Sequence, residues 1–510
     1  MKKTRIFAIL ILIILIGGAL RFYKIGANSF YKDEFFELNA SYGYFKAGKW
    51  LAWDFNNNQP LGNEFQEGKE WSNQRAQSYR IQLATLYRFA EPTEANTRAI
   101  SAIWGVLSII IVYFITLSFT GNVYVALLAA FLTAVGESEI LFTRRLRMYA
   151  MLFPIYLIFS WTVYKLYESH YRGKFSFFRK IYQKLEINPA YLLPAAVAGL
   201  VSYEIHELAT SIIVALTAYC AIFAVKSLFK GKIINKYSLT LLAAFIAYLI
   251  ANVFFNDAIR LLKESVSFLN RRDYDYVKFY FTDFRYLPAG AALMVLGFWF
   301  LARKLGKARE AIFIAASAFA PLAFAVSSWT REPAHRYVYF IQSFGIILAA
   351  AGVFSLISFF SNKFPKYKKA LAVVIIILFL AALDFSYIYG KENFYKKMEN
   401  ATHVDFRQLF SYVKENRQPQ DVMITRAYRS YYFPGEKIPV YDIKGMDFEK
   451  GNCRQLFQKI ISENKSGWII LPEIDNLSVC KDGKQYLYNE LKGLKSKEIP
   501  DRVFVYRWGN

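Results

Sequence analysis

Ile6-Phe7-Ala8-Ile9-Leu10-Ile11-Leu12-Ile13-Ile14-Leu15-Ile16-Gly17-Gly18-Ala19-Leu20 is an unbroken apolar run, with Lys2, Lys3 and Arg5 before it and Arg21, Phe22 and Tyr23 after it. A short apolar core behind basic residues also marks a signal peptide. No small-x-small cleavage site follows, so the run reads as an uncleaved first membrane span whose interface is extended by Arg21, Phe22 and Tyr23. Either reading gives the next segment the same sidedness. That segment contains Ser29-Phe30-Tyr31-Lys32-Asp33-Glu34-Phe35-Phe36-Glu37, which places an adjacent acid pair a few residues beyond the span. Ionisable groups near a bilayer are costly and mark functional sites. The plain alternative is a pair of solvated loop acids.

Composition agrees with a membrane protein. The 510 residues are 55% hydrophobic and 18% aromatic, only 20% are charged, and mean hydropathy is +0.20. A soluble chain of this size carries about 25% charge and does not repeat apolar runs of spanning length. The net charge of +24 therefore points to basic loops on one face of a membrane rather than to nucleic acid. Three cysteines, Cys220, Cys453 and Cys480, make neither a disulfide framework nor a metal cluster. A Cys453–Cys480 bridge and two free thiols both stay open.

From Tyr23 to Thr97 no stretch is apolar enough to span, and the amphipathic pieces Phe35–Phe45 and Tyr79–Phe89 are expected in the interface plane. Apolar stretches then recur at Ala99–Ser118, Val123–Phe142, Tyr149–Tyr167, Tyr191–Tyr203, Leu208–Val225, Ser238–Phe255, Pro288–Leu301, Ala311–Ser328, Tyr337–Phe360 and Ala370–Tyr389. With the first run this gives about eleven spans, several of them short for a core of roughly 30 Å. With the N-terminus inside, the inner connections are Gly121-Asn122, then the runs with Arg172, Lys174, Arg179, Lys180 and Lys184, with Lys226, Lys230, Lys232 and Lys236, with Arg303, Lys304, Lys307 and Arg309, and with Lys363, Lys366, Lys368 and Lys369. All but the Gly-Asn turn are strongly basic, so the alternation supports both count and orientation.

The segment beyond Met398 then falls outside. Phe406–Glu415 and Cys453–Glu463 have helical periodicity, and Val422–Thr425, Trp468–Leu471 and Val503–Tyr506 read as buried strands. The expected fold is a polytopic α-helical membrane protein with interfacial helices in its first external loop and a small C-terminal α/β extracytoplasmic domain. Residues 1–389 form the transmembrane part, with the first loop at 23–97, and residues 390–510 form the terminal domain.

External connections should be poor in Lys and Arg, but three are not. They are Thr143-Arg144-Arg145-Leu146-Arg147-Met148-Tyr149, the loop with Asn270-Arg271-Arg272-Asp273-Tyr274 and Asp283-Phe284-Arg285-Tyr286, and Arg331-Glu332-Pro333-Ala334-His335-Arg336-Tyr337. Arginine grips phosphate bidentately, and a helix start adds N–H groups. Arg144 and Arg147, three apart, are expected on one face at the start of the fourth span. Snorkelling to headgroups or nearby carboxylates is the competing reading. At the external turn Ser202-Tyr203-Glu204-Ile205-His206-Glu207, a carboxylate beside histidine could orient a hydroxyl or a metal, or simply cap the turn.

External carboxylates with external arginines suit sugar transfer from a lipid-linked sugar phosphate. The acceptor hydroxyl must lose a proton to a base, and the leaving polyprenyl phosphate needs its growing charge stabilised. No nucleotide-binding glycine loop beside a βαβ unit is present, and this donor needs none.

On these residues the chain resembles the GT-C membrane glycosyltransferases, in particular the protein O-mannosyltransferase and aminoarabinose-transferase-like group. The matching elements are Asp33-Glu34, Glu94-Ala95-Asn96-Thr97-Arg98 running into the second span, Thr143–Tyr149, His206-Glu207 and His335-Arg336-Tyr337. The resemblance covers the whole layout. It implies Asp33 as catalytic base or acceptor-organising group, with Glu34 assisting. Arg144 or Arg147, with Arg336, would hold the donor phosphate, and Tyr149, His206, Glu207, His335 and Tyr337 would line the substrate cavity.

The chain has Gln59-Pro60-Leu61 where the family often has Pro-Pro-Leu, followed by Glu64, Glu67, Glu70 and Arg75, and it lacks the β-trefoil of eukaryotic O-mannosyltransferases. The acceptor, whether protein, lipid or cell-envelope glycan, therefore stays open. No cofactor is required by the residues, and a divalent metal ion, with Asp33 as its candidate ligand, is left open. The expected enzyme is an inverting hexosyl or pentosyl transferase of the cytoplasmic membrane. Its partners would be a polyprenyl-phosphate sugar, an acceptor and membrane lipids, but not nucleic acid. Its N-terminus would be cytoplasmic, with the active site and terminal domain outside. A flippase of lipid-linked sugars would show paired repeats and broken helices, and no internal repeat is visible. A non-catalytic envelope assembly protein would tolerate joint loss of Asp33, Arg147 and His206.

Overall fold

The computed structural model of the chain describes residues 3–31, 33–61, 76–254, 272–330, 333–385, 404–443, 453–472 and 503–509. Lys32, the Glu64–Arg75 stretch, Asn270, Arg271, Arg331, Glu332 and Cys480, and with Cys480 the question of a bridge, lie outside the described residues. In chain order the first helices are α1 (Lys3–Phe22), α2 (Glu34–Ala47), α3 (Gln77–Leu86), α4 (Glu94–Thr120), α5 (Val123–Val135) and α6 (Glu137–Thr143). Next come α7 (Tyr149–Glu168), α8 (Ser176–Leu185), α9 (Leu192–Ile205), α10 (Ser211–Leu228), α11 (Lys236–Phe254) and α12 (Asp275–Tyr280). The last are α13 (Leu287–Trp299), α14 (Ala308–Ser328), α15 (Arg336–Tyr339), α16 (Gln342–Lys363), α17 (Lys368–Ala382), α18 (Phe406–Asn416) and α19 (Cys453–Glu463).

Among the described residues each expected apolar stretch is mostly helical, and the protein is a multi-pass membrane protein. Among the described residues seven helices are long and apolar enough to cross a membrane: Lys3–Phe22, Glu94–Thr120, Tyr149–Glu168, Glu207–Leu228, Leu287–Lys304, Ala308–Ser328 and Gln342–Lys363. Two bent pairs raise the number to nine. Val123–Val135 with Glu137–Thr143 is bent by 55°, and Ser176–Leu185 with Pro189–Ile205 by 107°. The remainder of the expected eleven are α11 and the 15-residue α17. The third span breaks at Gly136, whose extended backbone (φ −61°, ψ 137°) separates α5 from α6.

The chain divides into two compact units. The first comprises Met1–Tyr23, Ser101–Arg144 and Met148–Gly390. Its helices pack through small residues, as membrane helices do. A Cβ at Gly297 of α13 would run into the Leu348 carbonyl, and one at Gly352 of α16 into the Leu293 carbonyl. Two arginines lock the ends of helices. Buried Arg21 donates to the carbonyls of Gly17 (2.9 Å), Ala134 (3.0 Å) and Thr133 (2.7 Å), so it covers the C-terminal end of α5. Arg144 Nη1 donates to the carbonyls of Leu20 (2.9 Å), Arg21 (3.2 Å) and Tyr23 (2.7 Å), so it covers the end of α1. Such carbonyls lack helical partners and carry the negative end of the dipole.

The second unit comprises Lys24–Ile100, Arg145–Arg147 and Lys391–Asn510. It thus groups Lys24–Ile100, which contains the loop 23–97, with the segment that the sequence reading sets apart as 390–510. Aromatic packing supplies the reason. Phe30 lies 5.0 Å from Tyr431, Phe35 5.6 Å from Phe406 and 5.9 Å from Tyr432, all edge-on. The apolar side of α2 therefore meets protein. A short hairpin, β1 (Trp53–Asp54) and β2 (Gln59–Pro60), joins in. Its Asn56 side chain donates to the Ile438 carbonyl (2.7 Å) and accepts from the Ile438 N–H (3.0 Å). The terminal sheet runs β4–β3–β5–β6, built from β3 (Val422–Thr425), β4 (Val440–Asp442), β5 (Gly467–Pro472) and β6 (Val503–Trp508). β3 is parallel to β4 and β5, and β6 is antiparallel to β5. Ile424, Ile469, Leu471 and Phe504 form its core with Phe457 and Ile460 of α19.

Candidate functional site

Asp33 and Glu34, adjacent in sequence, have different surroundings. Glu34 opens α2 and is wholly buried. Arg98, on the first turns of α4, grips it with Nε to Oε1 (2.9 Å) and Nη2 to Oε2 (2.6 Å). The Leu146 N–H adds a bond to Oε1 and the Tyr31 N–H one to Oε2, each 2.7 Å. Burial pushes the Glu34 carboxyl up, but the Arg98 charge and these hydrogen bonds outweigh it and hold it below the ordinary range. With four donors the carboxylate has no accepting position left for a substrate hydroxyl. Its job is to fix the turn before α2. Arg98 in turn donates to the carbonyls of Ile25, Asn28 and Ser29, which wraps the loop around it.

Asp33 is the exposed member. Its side chain is 29% accessible, and Oδ2 lies 3.9 Å from Arg147 Nη2. Arg147 Nη1 donates to the Asp33 carbonyl (3.0 Å) and to Glu37 Oε1 (3.1 Å). Glu37, three residues along α2 and on the same side as Glu34, is buried and also accepts from Arg80 Nε at 2.7 Å. The result is a platform of two closed acid–arginine pairs that presents Asp33. Among the described residues no three His, Cys, Asp or Glu side chains gather as a metal-ligand set. Of these three acids, Asp33 is the one with exposure to offer a cation.

The expected shared face of Arg144 and Arg147 does not form. Residues 144–148 make a turn, and α7 begins only at Tyr149. Arg144 belongs to the first unit and Arg147 to the second. Arg144 Nη1 is committed to the end of α1, and Arg147 to Asp33 and Glu37. Arg145 places its guanidinium 5.5 Å over the Tyr31 ring.

Within the first unit, Tyr149, His206 and His335 come together through aromatic contacts. Tyr149 OH lies 3.4 Å from His206 Nε2, with ring centroids 5.4 Å apart. His206 Nδ1 accepts from the Leu208 N–H at 3.1 Å. It therefore caps a short turn, and the ring proton is assigned to Nε2. Phe142 touches Tyr149 (6.1 Å) and packs edge-on against His335 (4.9 Å), which stacks on Phe279 (5.7 Å, 9°). His335 Nε2 is 3.2 Å from Ser138 Oγ and 3.2 Å from Gln342 Nε2. Asp283 accepts from the Ser138 N–H at 2.8 Å. Burial pushes the Asp283 carboxyl up, opposed by the Ser138 N–H and hydroxyl. Arg336 and Tyr337 are half-buried, with the Arg336 guanidinium 5.2 Å over the Tyr337 ring. Glu207 opens the turn after His206.

Sequence reading did not assign Glu37, Arg80 or Arg98 in the platform, nor Ser138, Phe142, Asp283, Phe279 or Gln342 around His335. One signal was present. Glu137-Ser138-Glu139 interrupts an otherwise apolar run, and acids inside a span ask for a reason.

No family model matches the chain, and no curated protein matches its sequence. Solved structures do resemble it. Archaeal oligosaccharyltransferase AglB from Archaeoglobus fulgidus, in complex with an inhibitory peptide and a dolichol-phosphate, superposes with a TM-score of 0.61 at 12% identity, over 99% of this chain and 76% of that one. ArnT from Cupriavidus metallidurans, bound to undecaprenyl phosphate, gives 0.54 at 10% identity, over 98% and 97%. At such identities the likeness is one of fold. This chain has a GT-C-like fold, a polytopic helical membrane protein with a small C-terminal α/β domain.

Proposed function

We propose that the protein is an inverting glycosyltransferase that moves a sugar from a polyprenyl-phosphate-linked donor to an acceptor outside the cytoplasmic membrane. The observation that carries this reading is Asp33, presented beside Arg147 on a turn locked by Glu34 and Arg98. Structures of the same fold were captured with dolichol-phosphate and with undecaprenyl phosphate, which supports a lipid phosphate as donor. The acceptor hydroxyl attacks the anomeric carbon, the bond to phosphate oxygen breaks, its electron pair leaves with the polyprenyl phosphate, and the hydroxyl proton passes to Asp33. Arg147 orients Asp33, and Glu34 assists by holding the turn. Arg336 is the phosphate ligand in this reading, because Arg144 is occupied with carbonyls. Tyr149, His206, Glu207, His335 and Tyr337 line the cavity. The basic loops support a cytoplasmic N-terminus and an external site.

The test is sugar transfer from a polyprenyl-phosphate sugar by purified protein. Asp33→Asn keeps the shape and is expected to lower transfer at least roughly 100-fold with melting unchanged. Full activity in that variant rejects the assignment. Arg336→Gln is expected to raise KM for the donor.

A further inference from the structure

Helix α8 is held firmly at its C-terminal end, yet none of its residues is buried. Asn188, just past it, donates from its backbone to Leu166 O (2.7 Å) and from its side chain to Ser169 Oγ (2.8 Å). Lys236 donates to the carbonyls of Tyr167 and Glu186, and the Tyr182 hydroxyl meets His170. These bonds fix the direction of α8, which makes 107° with the membrane helix Pro189–Ile205. A helix nearly perpendicular to a span runs along the membrane surface.

Its residues sort accordingly. At 100° per residue, Phe177, Phe178, Ile181, Tyr182 and Leu185 share one face, Arg179 and Lys180 lie on the other, and Lys184 sits at the boundary beside Phe177. Phe177 is 66% exposed and Leu185 42%, an apolar face that water would oppose. From Ser169 to Ala190 the chain carries five basic residues, Arg172 and Lys174 with those three, against one acid, Glu186. Among the described residues none of the five pairs with a carboxylate. A basic helix with an aromatic face, laid perpendicular to a span, matches an anionic lipid surface.

We propose that α8 lies in the headgroup layer and binds anionic phospholipid, with Arg179, Lys180 and Lys184 on lipid phosphates and Phe177, Ile181 and Leu185 at the acyl boundary. This surface is separate from the transfer chemistry and stands whether or not that reading holds.

Nitroxide labels at Phe177→Cys, Ile181→Cys, Lys180→Cys or Lys184→Cys test it, in full-length chain carrying Cys220→Ala, Cys453→Ser and Cys480→Ser. The protein is reconstituted into nanodiscs of phosphatidylglycerol or of phosphatidylcholine. In phosphatidylglycerol, labels at 177 and 181 should be open to oxygen and closed to a water-soluble nickel chelate, that at 180 the reverse, and that at 184, at the boundary of the two faces, between them. Changing Arg179, Lys180 and Lys184 together to Gln should lower the ratio of embedded to lifted helix by roughly fivefold per charge, on the order of 100-fold in all. Labels at 177 and 181 closed to both reagents would mean that protein covers this face, and nickel access in every bilayer that it sits in water. Equal embedding in phosphatidylcholine and in the triple variant would remove the charge. Each of these overturns the proposal.

Discussion

In the second unit the buried carboxylates Glu34 and Glu37 meet arginine side chains, whereas in the first the buried arginines Arg21 and Arg144 meet backbone carbonyls. Glu34 is closed by Arg98 and Glu37 by Arg80, at 2.6 and 2.7 Å. Arg21 and Arg144 instead hold the C-terminal carbonyls of α5 and α1. The difference matters because a carboxylate titrates and a carbonyl does not. A lock built from acids can be opened by protons, and it fixes a loop only while both charges are present. A lock built on helix ends holds at any pH where the protein survives. The platform that presents Asp33 is of the first kind, the ends of α1 and α5 are tied by the second, and Glu168 with Arg309 adds an acid–arginine pair at the end of α7.

The largest expected effect follows from breaking the closed pair. Arg98→Met leaves Glu34 charged and buried, which costs about 3–5 kcal/mol, read as loss of melting temperature in detergent. The pH dependence should also change sign. In the native protein the Glu34 carboxyl is held below 4.5, so its contribution is complete above that pH and is lost as pH falls through the folded value. Without Arg98, only the Leu146 and Tyr31 N–H groups still oppose burial, the largest single cause of shift, and the folded value should rise above the unfolded one. The variant should then gain stability relative to the native protein as pH falls. Parallel pH curves for the two would mean that Arg98 does not hold Glu34 ionised. Lys at 98 should not restore stability, because one ammonium cannot reproduce the two-pronged grip.

Arg144→Met should cost less, about 2–3 kcal/mol for a charged donor lost from three carbonyls, and that cost should be flat from pH 5 to 8. Here Lys is a fair replacement. Arg144 uses a single nitrogen for all three acceptors, and an ammonium carries three protons. Substantial rescue by Arg144→Lys beside none by Arg98→Lys would separate the two kinds of lock. Equal rescue at both sites would erase the distinction.

The sequence made the membrane architecture legible because spans and basic loops are one-dimensional signals. Residue boundaries of α19 and β3 could likewise be read from periodicity alone, and Asp33–Glu34 stood out by position. The partners did not. Arg98 is 64 residues from Glu34, and Arg80 is 43 residues from Glu37. No local pattern reports a pairing at such separations. The arginines of Thr143–Tyr149 misled for a local reason. Spacing of three suggests one helical face, but residues 144–148 turn instead, and the chain passes from one unit to the other at Arg145 and back at Met148. Tyr432, which donates to Glu94 at 2.8 Å across 338 residues, shows why 23–97 and 390–510 read as separate pieces until they are folded.

The smallest expected effect tests Asp283 as a titrating element of the first unit. Ser138→Ala keeps the backbone N–H that donates to Asp283 and removes a hydroxyl 3.2 Å from His335 Nε2 and 3.3 Å from Gln342 Nε2. About 1 kcal/mol should be lost, less than for Arg144→Met. The sign with pH is opposite to that of Glu34. The Asp283 carboxyl is raised above 3.8 by burial, and the Ser138 hydroxyl is among the groups that restrain it. An acid raised on folding favours the folded state when protonated, so stability falls as pH climbs from 3.8 through the folded value. Removing the hydroxyl raises Asp283 further and should widen that fall, which melting curves measured from pH 3.8 upward to pH 8 would show. A Ser138→Ala deficit equal across that range would mean that the Asp283 carboxyl does not contribute to how the first unit responds to pH.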